Sequence, residues 1–249
     1  MIVTISGYDG VGKTSSVDRL NKSICHKYGL SGTSIYEVNN NSEVYENIDH
    51  IDSIYDQLKE YDVIGTRFYM RSMRMQELQE QVMFAGVDVF KNTVLIKEVA
   101  VQAKKEAEIW YERVVRKLLK ENKIIIYDRY WFDEVAYRSL YNLPPKYIED
   151  LYKNYKEPDL KFFLYGDMEL IKERNKDRID MKTALFASDE KMSELFDNLE
   201  DMRKKYLMEV IDVRGKDRES VSRELLKRME LYFKENDVLY NLEKAKAKI

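Results

Sequence analysis

Short apolar runs alternate along the chain with longer stretches in which apolar residues recur every three or four positions. The short runs predict buried strands at Met1–Ser6, Ser34–Val38, Tyr61–Gly65, Lys123–Asp128, Leu160–Tyr165 and Glu209–Val213. The longer stretches predict amphipathic helices after Thr14, at Phe68–Phe84, around Ala103–Leu118, at Met192–Tyr206 and at Glu219–Phe233. Strands that alternate with helices indicate an α/β fold, with a parallel sheet and helices on both of its faces.

Composition narrows the classes of function. A net charge of −3 over 249 residues gives no support to wholesale binding of nucleic acid or membrane. One cysteine excludes an internal disulfide and two histidines cannot build a His/Cys metal site, so a metal would be a hard ion held by oxygen atoms. No apolar run approaches about 18 residues and no signal-peptide pattern precedes the first strand, which predicts a soluble cytoplasmic protein.

Residues 7–14 read Gly-Tyr-Asp-Gly-Val-Gly-Lys-Thr, the G-x-x-x-x-G-K-[ST] pattern of a phosphate-binding loop. Its glycines let successive backbone N–H groups point into one hollow, which suits phosphate oxygens. The following helix adds its positive N-terminal end, Lys13 adds a mobile charge, and Thr14 offers a hydroxyl to Mg²⁺. A fortuitous glycine turn is the alternative, but a strand before the loop and a helix after it are the context that the motif requires.

A second polar site is Asp128-Arg129-Tyr130, directly after a predicted buried strand. If that strand neighbours the first one, Asp128 lies beside Thr14 and can hold Mg²⁺ directly or through water. Arg129 can then reach a phosphate with its planar guanidinium. The alternative is an ordinary ion pair at a strand end, but the phosphate loop on the same chain favours function.

A third polar site is the charged run Lys172–Arg178, which follows the strand that ends at Tyr165. Arg174 and Arg178 are four residues apart and share one helical face. A charged run on a helix is often only a solvated face. Here it lies where a mobile lid would close over nucleotide phosphates, and we predict a lid.

These three sites together resemble the thymidylate kinase family within the P-loop nucleoside monophosphate kinases. Asp9 inside the loop, Ala136-Tyr137 and Pro158-Asp159 extend the resemblance. It implies an α/β P-loop kinase fold in which a parallel five-stranded sheet has helices on both faces and a helical lid. We expect one kinase domain over residues 1–249, which includes a poorly matched insertion at about 39–94, the lid at about 172–188 and a C-terminal extension at 236–249. That extension is either a further helix or a frayed tail.

The resemblance also implies a role for individual residues. The expected catalytic residues are Lys13, Arg129, Arg174 and Arg178. The expected ATP-binding residues are Gly7, Gly10, Val11, Gly12, Lys13, Thr14, Ser15, Arg174, Val213 and Gly215, with the backbone of Val213–Asp217 holding adenine. The expected acceptor-binding residues are Asp9, Arg67, Arg129, Asp133, Tyr137 and Arg138, with Asp9 on the sugar 3′-hydroxyl and Arg129 on the phosphate. Thr14 and Asp128 are expected to hold Mg²⁺.

Two positions beside the base pocket depart from the family's pattern. Asp133 stands where a serine is usual, and Arg138 stands where a glutamine or threonine is usual, which leaves the base open. The family's Arg-Glu-Pro segment is also missing. Of the nearby arginines Arg67, Arg71 and Arg74, we select Arg67 as the replacement phosphate contact, with an ordinary surface arginine as the alternative.

The sequence therefore predicts an ATP- and Mg²⁺-dependent kinase that phosphorylates dTMP or another deoxynucleoside monophosphate. Its partner would be a small nucleotide, without nucleic acid or membrane. A homodimer is expected, with Phe84–Leu119 either at its interface or in the core. The alternatives are a deoxynucleoside kinase of the same fold, a nucleotide-binding switch that has lost transfer activity and, more distantly, a kinase of nucleic-acid ends.

Overall fold

A parallel sheet forms the centre of the protein. The computed structural model describes residues 1–34, 51–69, 72–85, 90–176 and 189–246. Its strands are β1 Ile2–Gly7, β2 Gly32–Ser34, β3 Val63–Arg67, β4 Ile124–Asp128, β5 Leu160–Tyr165 and β6 Glu209–Asp212. All neighbouring pairs are parallel, and the order across the sheet is β2-β3-β4-β1-β5-β6. The α/β class and the parallel sheet predicted from the sequence are confirmed.

Helices flank the sheet. Those in the described part of the chain are α1 Lys13–Tyr28, α2 Ile51–Leu58, α3 Met73–Phe84, α4 Thr93–Trp110, α5 Arg116–Lys120, α6 Trp131–Ser139, α7 Pro145–Tyr152, α8 Met168–Asn175, α9 Asp189–Lys205, α10 Arg218–Glu235 and α11 Val238–Lys246. A π-helical turn at Tyr111–Val115 joins α4 to α5. None of these helices combines the length and the apolar character that crossing a membrane requires.

The two central strands, β1 and β4, are covered on both faces. Every residue of β1 and of β4 is buried, as expected for apolar strands of a sheet with both faces covered. The register pairs Ile2 with Ile125 and Ile5 with Asp128. At the start of β1, the backbone N–H of Ile2 donates to the Asp159 carboxylate at 2.6 Å, so Asp159 anchors this end of the strand. The phosphate loop therefore begins from a fixed strand.

The count of five strands that the family resemblance implies is wrong, because the sheet has six strands, each at or beside one of the six apolar runs in the sequence. Each of the two edge strands pairs with its neighbour over its described residues. Gly32 and Ser34 of β2 are opposite Val63 and Gly65 of β3, and Glu209–Asp212 runs beside β5. The apolar runs therefore predict the number of strands better than the family resemblance does.

Some boundaries also differ from the predicted ones. The second strand begins at Gly32, and residues 35–38 of its predicted span lie outside the described residues. The helix predicted from Phe68 begins at Met73, because the Ser72 hydroxyl accepts the N–H of Met75 at 3.1 Å and caps the helix there. The C-terminal segment is helical over Val238–Lys246, as one of the two alternatives expected.

Candidate active site

The glycines of the phosphate loop are required by its backbone. Gly7, Gly10 and Gly12 have φ angles of 140°, 90° and 105°, which side-chain-bearing residues rarely adopt. A Cβ atom on Gly7 would lie 2.6 Å from the carbonyl oxygen of Leu164. A Cβ on Gly10 would lie 2.5 Å from the side-chain amide of Asn175. The loop therefore needs glycine at these two positions for space as well as for conformation.

Lys13 lies folded against its own loop. Its side chain is buried, its ammonium donates to the carbonyl oxygen of Tyr8 at 2.8 Å, and it lies 3.7 Å from the Asp9 carboxylate. Burial lowers the pKa of Lys13 to about 8, and the Arg129 charge lowers it as well, against three nearby carboxylates that raise it. A phosphate in the loop would add negative charge and favour the protonated form of Lys13.

Thr14 contacts the carboxyl end of β4, the strand beside β1. Its hydroxyl donates to the Asp128 carboxylate at 2.5 Å, since β1 and β4 are adjacent, as the sequence-based argument required. A hydroxyl and a carboxylate are oxygen ligands of the kind that Mg²⁺ takes in proteins, together with phosphate and water. Across the described residues, no three His, Cys, Asp or Glu side chains form a metal cluster, so a metal here would need phosphate and water as further ligands.

The Asp9 carboxylate joins the phosphate loop to the residues that follow β4. It contacts the guanidinium of Arg129, and its second oxygen accepts the Tyr137 hydroxyl at 2.9 Å. The guanidinium also lies 4.6 Å above the Tyr137 ring. Arg129 has a φ of 70°, a strained backbone that persists only where its surroundings enforce it. Such strain is typical of functional sites, and here it occurs at the residue whose guanidinium contacts the phosphate loop at Asp9.

Asp133 lies beneath Arg129. Its carboxylate is 2% exposed, accepts the Ser6 hydroxyl at 2.7 Å and the Tyr130 N–H at 3.0 Å, and lies 3.8 Å from the Arg129 guanidinium. Burial raises the pKa of Asp133, and the Arg129 charge opposes that shift. The structure thus places Asp133 as a partner of Arg129 and of β1, and direct contact with an acceptor stays a prediction.

Arg138 is held by a carboxylate that sequence reasoning missed. Its guanidinium donates from Nε and Nη2 to Glu134, at 3.0 and 2.8 Å, and the two side chains are 13% and 14% exposed. Burial disfavours the charge on Arg138, but Glu134 outweighs it and raises the pKa of this arginine. The four-residue spacing on a helix is the signal that would have identified Glu134.

The three arginines near β3 have different positions. Arg67 ends β3 directly opposite Asp128, so it reaches the same edge of the sheet as the phosphate loop. Arg74 pairs instead with Glu77 at 3.0 Å and Glu98 at 3.6 Å, on the surface of α3 and α4. Arg71 lies outside the described residues. The preference for Arg67 over Arg74 agrees with these positions, and its phosphate contact stays a prediction.

The end of α8 lies against the phosphate loop. Arg174 donates from Nη1 to the carbonyl oxygen of Val11 at 2.9 Å. Asn175 donates to the carbonyl oxygens of Asp9 at 2.8 Å and of Ile171 at 2.9 Å. Sequence reasoning missed Asn175, because a polar residue within a charged run carries no separate signal. Residues 177–188 of the expected lid, including Arg178, lie outside the described residues.

The segment expected to hold adenine leaves the same edge of the sheet. Val213 donates its N–H to the carbonyl oxygen of Tyr165 at 2.9 Å, which extends the pairing of β5 and β6 by one step. Gly215 turns the chain with a φ of 62°, and Asp217 caps α10 by accepting the Ser220 N–H at 2.7 Å. Ligands of parallel α/β sheets bind at this carboxyl edge, and the adenine contact stays a prediction.

The fold and the site define a P-loop protein of the nucleotide kinase type. Comparison with known proteins gives the family: residues 91–216, slightly more than half of the chain, match the family model described as thymidylate kinase. The chain belongs to the thymidylate kinase family. A solved structure, thymidylate kinase from Ehrlichia chaffeensis, is similar over 92% of this chain and 98% of that chain, with a TM-score of 0.57 and 18% identity. That likeness shows the shared fold. None of the curated proteins matches the sequence.

Proposed function

We propose that this protein transfers the γ-phosphoryl group of ATP to a deoxynucleoside monophosphate, dTMP or another dNMP, and forms the diphosphate. Membership of the family implies a nucleoside monophosphate kinase, and the deoxynucleotide acceptor is our inference. The main support for this inference is the cluster in which the Asp9 carboxylate contacts Arg129 and Tyr137. Asp9 belongs to the same loop as Lys13, so groups suited to an acceptor nucleotide lie directly beside groups suited to the ATP phosphates.

The donor side of the site fits ATP and Mg²⁺, which the family generally uses. The loop backbone, the N-terminus of α1 and Lys13 would hold the triphosphate. Thr14 and Asp128, joined at 2.5 Å, would hold the metal. Bound Mg²⁺ would supply positive charge to the phosphate oxygens.

Catalysis would consist of positioning and of neutralising charge on the transferred group. Lys13 would reach the transferred phosphoryl group, and Arg129 would hold the acceptor phosphate in line with it. Arg174 is exposed and would have to leave the Val11 carbonyl oxygen to join them, and we assign Arg178 the same task. No general base is needed, because the acceptor phosphate is already anionic.

The Glu134–Arg138 pair gives a prediction about the acceptor base. In the Arg138→Gln variant, a neutral amide replaces the charged guanidinium. We expect the ratio of kcat/KM for dTMP to kcat/KM for the other dNMPs to rise about tenfold. Steady-state kcat/KM for four dNMPs measures this. Because Arg138→Gln leaves Glu134 partly buried without its guanidinium, the Glu134→Gln/Arg138→Gln variant is the matched control. Ratios within twofold of wild type in both variants would remove Arg138 from base selection.

Two rival functions are separated by one panel of acceptors. Each of four dNMPs and the corresponding nucleosides is incubated with MgATP, and the products are detected directly. Formation of dNDPs supports the proposal. Phosphorylation of nucleosides alone identifies a deoxynucleoside kinase, whereas ATP binding or hydrolysis without any phosphorylated acceptor identifies a nucleotide-binding switch.

We also propose a homodimer. The inner face of α4 belongs to the core, which includes Ile96 and Trp110. Its outer side, together with α3, exposes Met73 and Val94 and lines an open groove of about 380 Å³. This outer side is our candidate for the contact between protomers. Sedimentation analysis should give twice the chain mass, and a monomer at micromolar concentration would contradict the proposal.

A further inference from the structure

The last residue of α8 is bonded to the backbone of the phosphate loop. The side-chain amide of Asn175 donates to the carbonyl oxygen of Asp9 at 2.8 Å. It also donates to the carbonyl oxygen of Ile171, one turn earlier in its own helix, at 2.9 Å. The two bonds fix the orientation of the amide. The loop is therefore held to the end of α8 by a side chain that cannot rotate freely.

The close approach of Asn175 explains a feature of the loop. A Cβ on Gly10 would lie 2.5 Å from the amide nitrogen of Asn175 and 2.8 Å from its oxygen. Asn175 therefore occupies the space that a side chain at position 10 would need. The same loop segment contains the hydrogen bond from the Val11 N–H to the Tyr8 carbonyl oxygen, at 3.3 Å, which closes a turn around Asp9 and Gly10.

Asp9 is held from two sides. Its carbonyl oxygen faces Asn175, while its carboxylate, only slightly exposed, contacts Arg129 and accepts the Tyr137 hydroxyl. Fixing the peptide at one end limits where the carboxylate can lie at the other. The orientation of the carboxylate toward Arg129 thus depends on the position of the backbone that Asn175 holds.

We propose that Asn175 is a positioning residue, which holds the Asp9 peptide so that the Asp9 carboxylate stays directed at Arg129 and Tyr137. Asn175 acts through Asp9. The effect falls on the acceptor side of the site, because Lys13 and Thr14 have other anchors in Tyr8 and Asp128. The kinetic part of the proposal rests on the proposed function, and the structural part does not.

Two variants and one control test the proposal. Asn175→Asp keeps the shape of the side chain but replaces the donating amide with an acceptor that repels the Asp9 carbonyl oxygen. Asn175→Ala removes the amide, and because alanine is the better helix former, it should not weaken α8 itself. Glu173→Ala, an exposed change in the same turn of α8, is the matched control.

The first measurement is amide hydrogen exchange, which requires no substrate. In both Asn175 variants the Val11 amide should exchange about tenfold faster than in wild type, the effect expected for losing one supporting hydrogen bond. Exchange in the central strand β4 should stay unchanged, as should the Val11 amide in Glu173→Ala. Val11 exchange within twofold of wild type in both Asn175 variants would overturn the proposal.

The second measurement is the steady-state kinetics of both substrates. In both Asn175 variants kcat/KM for the dNMP should fall about tenfold or more, while the KM for MgATP changes less than about threefold. If Asn175 had only a structural role, its variants would contain less folded protein. The apparent kcat would then fall, but both KM values would stay unchanged. That result would overturn the proposal. If wild type phosphorylates no dNMP, the proposed function fails, and the exchange measurement alone decides the role of Asn175.

Discussion

Replacing Lys13 with alanine should lower kcat about a thousandfold or more while the protein remains folded. In the proposed reaction Lys13 supplies positive charge to the transferred phosphoryl group, and in the structure its ammonium donates to the Tyr8 carbonyl oxygen. The change should not unfold the protein, because the Asp9 carboxylate keeps two other partners, Arg129 and Tyr137. Initial rates with MgATP and the best dNMP, together with thermal unfolding, measure both effects.

Lys13→Met is the matched control, because methionine restores most of the buried volume of the lysine without its charge. We expect it to be as inactive as Lys13→Ala and at least as stable. Near-normal turnover by either variant would show that this loop does not serve phosphoryl transfer. Loss of folded protein in the alanine variant alone would identify packing as the cause, and the methionine variant would then give the catalytic effect.

Replacing Arg129 with alanine should lower kcat/KM for the acceptor about a thousandfold and leave the KM for MgATP within about threefold. The guanidinium contacts Asp9, lies 3.8 Å from Asp133 and stacks 4.6 Å above the Tyr137 ring. Its loss also leaves two carboxylates without their shared cation. Stability should therefore fall by about 3–5 kcal/mol, the range for breaking a buried pair from one side.

Two further variants separate catalysis from stability at this position. Arg129→Lys keeps the charge but not the planar fork, so it should recover part of the stability and little of the acceptor kcat/KM. Arg129→Ala combined with Asp133→Ser, the residue usual in the family, removes a carboxylate that would have lost its neighbouring cation and should also recover stability. If activity returned together with stability in this double variant, which lacks the cation, Arg129 would have only a structural role.

The sequence predicted the presence of the strands better than the residues at which some strands and helices begin. The fifth strand is found at Leu160–Tyr165 as predicted, and β4 differs by one residue, because long β-branched and aromatic runs admit one interpretation. The described residues of the edge strand β2 are Gly32–Ser34, and the predicted span begins two residues later, at Ser34. The start of α3 depends on the hydrogen bond between the Ser72 hydroxyl and the Met75 N–H, and the spacing of apolar residues does not predict this bond.

The parts of the candidate site that consist of consecutive residues could be predicted from the sequence. The contacts between residues that are distant in the chain could not. Gly7–Thr14 and Asp128-Arg129 are readable as linear motifs, and the bond between Thr14 and Asp128 followed once the two strands were assumed to be neighbours. Asn175 and its partner Asp9 are 166 residues apart in the chain, so no spacing rule connects them. Contacts of this kind depend on the register of the sheet and on the position of each helix end.

The most direct test of the proposed reaction compares a dNMP with its own nucleoside as acceptor. We propose that the acceptor's phosphate binds beside the phosphate loop, in the cluster of Asp9, Arg129 and Tyr137. Wild-type kcat/KM is measured for each of the four pairs with MgATP, and the product is identified by mass. We expect a dNDP product and, for at least one base, a kcat/KM about a thousandfold or more higher for the monophosphate than for the nucleoside. Equal or greater activity on nucleosides, or no phosphorylated product from any dNMP, would contradict it.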